Sequence, residues 1–324
     1  MIDKKEPEFG DRKGGKKMSE QPETRPIDIL VPTDCPTIQG AIDMALDGHR
    51  VLVSPGMYVE NIDFKGKRVT IQGRGAADNT VLIGTGSGSV LTASSGETEK
   101  TTLRNMAISG GTGTPLMPTG YRCGGGAFVK DSGLTLENCI IKGNSCFAPS
   151  GHSGNRGVGA GLFAMSGVVH LIGCAIYANS VDEKGAAVAA GDSTINFINT
   201  TIFGNDSNFG ILYLSQGCES YFSNSILWGN YSVSDEQIIL RQDSFMVVRS
   251  SCVENGTSCF LGGNLEYQST NIEEDPGLFS YKILQGSPCM DTGDNDLVGT
   301  LTDIDGASRI VNGFVDMGCY EIQA

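Results

Sequence analysis

The feature that most constrains this chain is one phrase written four times. It reads LTLENCIIKGN at 134–144, VHLIGCAIYAN at 169–179, INFINTTIFGN at 195–205 and YFSNSILWGN at 221–230. The closing asparagines, Asn144, Asn179, Asn205 and Asn230, lie 35, 26 and 25 residues apart. Self-similarity at such a period marks a solenoid, in which each unit buries its apolar face only against its neighbours. Each copy alternates apolar and polar residues, is rich in β-branched side chains, and is punctuated by Gly and Asn, so the units are short strands and turns. A coil of roughly 25 residues holds about three such strands, each pairing in parallel with its equivalent about 4.8 Å away. Like residues then stack on like. The pattern predicts an asparagine ladder at one corner, with those asparagines in the left-handed backbone region. It also predicts a small interior stack of Cys139 on Cys174. The chain reads as all-β, a parallel β-helix.

Composition narrows the partners. The 324 residues include 45 Gly, only 19% are charged, and the formal net charge is −14. That balance leaves no basic surface to neutralise phosphates and excludes nucleic acid. It also favours a neutral glycan over an acidic one, unless a bound cation or local basic groups overcome the field. No apolar run approaches the roughly 20 residues of a membrane span. Residues 1–26 are polar and rich in Lys, Glu and Gly, which predicts a disordered leader without the apolar centre of a secretory signal.

Taken in order, residues 37–47 form the one clear helix. Ile38, Ala41, Ile42, Ala45 and Leu46 share a face, Pro36 or Thr37 starts it and Gly48 stops it. Such a helix covers the apolar open end of a first coil. Around it stand CPTIQGAI at 35–42, VSPGMYVENI at 53–62 and VTIQG at 69–73. These segments resemble the opening of right-handed parallel β-helix proteins of the pectate-lyase-like superfamily. At the other end, DPGLF at 275–279, GSPCMDTGDN at 286–295 and DIDGASRIVNGFVDMGCYE at 303–321 resemble the choice-of-anchor Q module of bacterial surface β-helix proteins. The resemblance implies a right-handed solenoid over 27–260, a C-terminal capping module over 261–324, association with carbohydrate, and an exported or cell-surface location. The absence of a signal in the leader leaves a cytosolic location open.

Function is expected where the repeat is interrupted. Insertions at 112–123 and 145–157 leave the coils at the same position one turn apart, so they project together as a lip over the neighbouring sheet, and loops on a rigid scaffold are where function concentrates. The lip carries Tyr121, Arg122, His152 and Arg156, with Lys130, Asp131, Asp182, Glu183 and Lys184 nearby. Elimination from a uronate polysaccharide needs a base for the proton α to the carboxylate, and positive charge or a metal for the enolate. Arg122, Lys130, His152 and Arg156 are candidate catalytic groups, Tyr121, Asp131, Asp182 and Lys184 candidate substrate contacts, and Asp131 with Asp182 a candidate Ca²⁺ pair. No two-His/carboxylate pattern or nucleophile elbow is present. Asp294, Asp296, Asp303 and Asp305 place oxygen ligands two residues apart, as Ca²⁺ prefers, although turn formation explains them equally. Among ten cysteines, Cys123 with Cys146, Cys252 with Cys259, and Cys289 with Cys319 are candidate pairs in an oxidising compartment. Two functions compete. One is a β-helix protein that binds or processes a polysaccharide, with a lyase or hydrolase mechanism at the lip. The other is a non-catalytic adhesin using exposed Tyr177, Phe203 and Trp228.

Overall fold

The computed structural model describes residues 27–147 and 156–323; the expected leader and His152 lie outside the described residues. The chain winds as a parallel β-helix, right-handed as parallel crossovers overwhelmingly are. A first sheet of ten strands, and a second and a third of eight each, run the length of the solenoid. A short fourth sheet, four strands long, lies at one corner. In one representative coil the first sheet contributes Gly133–Glu137, the second Ile140–Lys142, the fourth Ser145–Cys146 and the third Leu162–Met165. Leu136, Ile141 and Leu162 from three of these strands point inward and are fully buried in one continuous core.

The asparagine ladder is present and continuous. The Nδ2 of Asn144 donates to Asn179 Oδ1 at 3.0 Å, Asn179 to Asn205 at 3.0 Å, and Asn205 to Asn230 at 2.9 Å. The left-handed backbone, however, falls one residue earlier, at Gly143, Ala178, Gly204 and Gly229. The ladder side chains must turn inward to stack, so the residue before them takes the tight φ on the surface. A second corner, between the first and second sheets, does hold Asn105, Asn138, Asn199 and Asn224 at positive φ.

The helix covers the first coil, as expected, but is shorter. It runs Ile38–Met44, capped by Thr37, whose side chain accepts the Gly40 amide, and it leaves the helical path at Ala45. Ile38, Ala41, Ile42 and Ala45 are fully buried, whereas Leu46 lies beyond the helix and is 67% exposed.

Much of the C-terminal segment lies along the flank of the second sheet. Ile140, Ala175, Thr201, Ile226 and Cys252 stand in register on that sheet's outer face and are buried. Ile304 and Cys319 cover the Ile140 and Ala175 end, and Ile283, Cys289 and Met317 cover Ile226 and Cys252. The second asparagine corner supplies the polar grip. Nδ2 of Asn138 donates to Thr302 O, of Asn199 to Asp316 O, and of Asn224 to Asp294 O.

This placement redraws the cysteine pairs. All ten are free and buried. Cys139 and Cys174 stack inside, as expected, donating to Leu103 O and Leu136 O of the coils before. The thiol neighbouring Cys252 is Cys289, not Cys259, while Cys319 sits in the other cluster beside Ala175.

Candidate functional site

The two insertions meet as a small sheet outside the solenoid. Thr114–Leu116 and Tyr121–Cys123 form an antiparallel hairpin, and Gly157–Val158 adds in parallel to its second strand. This lip stands over the outer face of the third sheet, where Phe128, Phe163, Ala189, Tyr213 and Ile239 follow one another in register. Under the lip, Phe128 and Phe163 stack with centroids 5.7 Å apart and are buried with Cys123 and Val158. One coil on, the row narrows to Ala189, and the neighbouring Ala190 and Gly191 leave further space. The result is a groove of about 470 Å³. Its floor is Phe163, Met165 and Ala189–Gly191; its walls are Leu116, Thr119 and Tyr121 on the lip side and Tyr213, Ser215, Gln216, Arg241 and Gln242 opposite.

Lys184 is the charged centre of this groove. Its Nζ lies 4.4 Å from the Tyr213 ring centroid and 5.9 Å from that of Tyr121, a cation held between two aromatic faces. Glu183 Oε1 is 3.7 Å from it, and the same carboxylate reaches Arg156 at 3.6 Å. Arg241 completes the far end: its guanidinium lies 5.7 Å from the Phe209 ring, which is tilted against Tyr213 at 6.1 Å. Among the described residues lining the groove there is no carboxylate and no imidazole. Cys123 contributes to the wall, but burial pushes its thiol up to about 12, so it is not a thiolate nucleophile near neutrality.

The structure thus brings Tyr121 and Lys184 into the groove and puts the other candidates elsewhere. Arg122 braces its own hairpin, with Nη1 donating to Gly113 O at 3.0 Å. Lys130 pairs with Asp131 at 2.6 Å, one coil away from Met165 of the floor. Asp182 Oδ1 accepts the Gly157 amide at 2.6 Å and so anchors the return limb of the second insertion. Asp131 follows a third-sheet strand and Asp182 precedes one, so the two face opposite ends of that sheet. Arg156 is exposed beyond Glu183.

Of the four carboxylates expected to bind Ca²⁺, those of Asp294, Asp296, Asp303 and Asp305, three are each used separately. Asp294 caps a short turn by accepting the Asp296 amide, Asp303 is buried and accepts the amides of Asp305, Ala307 and Glu321, and Asp305 pairs with Lys282. Among the described residues no group of three His, Cys, Asp or Glu could hold a metal ion.

The aromatic row proposed for an adhesin, Tyr177, Phe203 and Trp228, is in register as expected. Its ring faces are already used. Tyr177 stacks on Phe203 at 4.8 Å and on Tyr281 of the C-terminal segment at 6.0 Å, while Trp228 packs against the second flank cluster. All three are half-buried by these contacts.

Sequence reasoning missed Tyr213 and Arg241. Tyr213 was findable: the LYLS strand at 212–215 stands in the solenoid where AFVK and LFAM stand at 127–130 and 162–165, so its second residue joins the Phe128 row.

No known protein family matches the chain, and no curated protein matches it. Among solved structures, the deglycosylated pectin methylesterase from Aspergillus niger is similar at 12% identity, covering 85% of this chain and 97% of that one, with a TM-score of 0.47. Pectin methylesterase from carrot is similar at 16% identity over 78% and 84% of the two chains, with a TM-score of 0.37. Likeness of this degree says nothing of a reaction.

Proposed function

We propose that this protein binds a polysaccharide in the groove beneath the lip, and that the segment it takes is acidic. One observation carries the reading. In a chain of net charge −14, Lys184 and Arg241 face the groove, and the carboxylate nearest Lys184, that of Glu183, is shared with Arg156 and does not line it. Local charge opposite to the molecule's own is how a site overcomes an unfavourable field. This is the case of local basic groups overcoming the field, rather than a neutral or Ca²⁺-bridged glycan. The mixed apolar and polar walls suit sugar rings, whose faces are apolar and whose rims are hydroxylated. Among the described residues lining the groove, no pair of carboxylates stands where hydrolysis would need it.

Binding to a panel of immobilised glycans tests this, with reducing ends and the ultraviolet absorbance of unsaturated ends followed in parallel. Retention on polygalacturonate, alginate or a sulfated galactan, weakened by salt and without product, is the expected outcome. New unsaturated ends would make the groove a lyase site. Retention only on neutral glucans, or on none, overturns the proposal.

A further inference from the structure

We propose that the C-terminal segment is an acid-tightened clasp, in which three carboxylates gathered around one buried guanidinium hold the flank of the β-helix more firmly as they take up protons. Arg309 is fully buried; its Nη2 donates to Gly318 O, while Nε and Nη1 have no partner. Around it stand Asp303, Asp316 and Glu321, each itself buried. Their oxygens are spent on backbone amides instead. Asp303 accepts from Asp305, Ala307 and Glu321, Asp316 from Asp291 and Ile322, and Glu321 from Val311 and Asp316, at 2.7 to 3.2 Å. Three potential negative charges thus share one positive charge out of water, an arrangement that holds a proton readily.

The donated amides and Arg309 favour the charged forms; burial, the largest influence on each carboxyl, and the neighbouring carboxylates work against them. Asp305 acts on Asp303 and Asp291 on Asp316, both raising them, and the Cys319 thiol beside Arg309 is pushed up to about 12 and stays neutral. From the coils, Asn199 meets Asp316 O and Thr201 meets the Cys319 amide, so the cluster sits on the docking surface itself. Burial pushes Glu321 from 4.5 up to about 7 and raises Asp303 and Asp316 as well. A carboxyl group whose folded value is raised contributes stability that is complete below its unfolded value and is lost as pH rises through the folded one. Arginine keeps its proton throughout and drops out of the balance. For Glu321 alone the window runs from 4.5 to about 7, equivalent to an equilibrium about 300-fold more favourable in acid. Loosening the clasp uncovers Ile140, Ala175 and Ile226.

Hydrogen exchange of the amides at 289–321, corrected for the intrinsic rate, is the test, at about pH 4.5 and about pH 7.5. The full chain is expected to show protection there that is up to about 300-fold higher in acid, with amides around Ile176 unaffected. Glu321→Gln should flatten most of that dependence. Equal protection at both pH values in the unaltered protein overturns the clasp, whether or not the variant folds. So does a pH dependence that survives unchanged in Glu321→Gln.

Discussion

Replacing Asn179 by Ala is expected to lower stability by about 3–5 kcal/mol, in the upper range for a single substitution. The side chain is wholly buried and satisfies two coils at once. Its Oδ1 accepts the Asn144 amide at 3.1 Å and the Asn144 Nδ2 at 3.0 Å, while its own Nδ2 donates to Ile141 O at 2.9 Å and Asn205 Oδ1 at 3.0 Å. Alanine leaves several of those groups buried and unpaired, each costing about 1–3 kcal/mol before relaxation. Asn179→Asp separates hydrogen bonding from packing. The carboxylate keeps the shape and both acceptor roles but cannot donate, and it faces the oxygens of Ile141 and Asn205. Chemical denaturation should find the Asp variant at least as damaged as the Ala variant. Near-equality of either variant with the original would mean that the ladder merely fills space. Because a solenoid is coupled through nearest neighbours, the loss falls on the interface between adjacent coils.

The second large effect is expected at Arg309. Arg309→Met keeps the length and bulk of the side chain and removes the buried cation among Asp303, Asp316 and Glu321. At neutral pH this should cost about 3–5 kcal/mol, the usual price of leaving buried charge uncompensated. The penalty should shrink towards about pH 4.5, because Glu321, pushed up to about 7, holds its proton there, and burial moves Asp303 and Asp316 in the same direction. Denaturation followed at both pH values, with exchange at 289–321 as the local reporter, separates this from a simple packing defect. A packing defect would cost the same at both.

How much of this was written in the sequence depends on whether the signal was periodic. The solenoid and the ladder at Asn144, Asn179, Asn205 and Asn230 were legible because stacking forces equivalent residues into one environment, and one environment selects one residue type. The same alignment held a second ladder, Asn138, Asn199 and Asn224, that reads as an ordinary turn residue until the C-terminal carbonyls of Thr302, Asp316 and Asp294 are placed against it. Those contacts span more than 60 residues of chain, as |i−j| of 164, 117 and 70, and no local pattern encodes them. The stack of Cys139 on Cys174 was periodic and legible, but the pairs at the C-terminal end were not: Cys252 and Cys259 are near in sequence, yet the strand turns Cys252 outward to meet Cys289. At the candidate site the lip was visible as an insertion, but which of its charges turn inward was not. Arg122 and Asp182 are consumed in holding the lip together, and Arg241 reaches the groove from a coil below.

The central claim is that Lys184 and Arg241 make this groove a site for an acidic glycan. Titration calorimetry of an acidic oligosaccharide taken from the panel, with the unaltered protein, Lys184→Gln and Arg241→Gln, tests it most directly. Saturable binding is expected, weakened about tenfold or more by each substitution, since a charge-assisted hydrogen bond contributes about 1.5–3 kcal/mol. An affinity unchanged by both substitutions would place the glycan elsewhere on the solenoid and contradict the account.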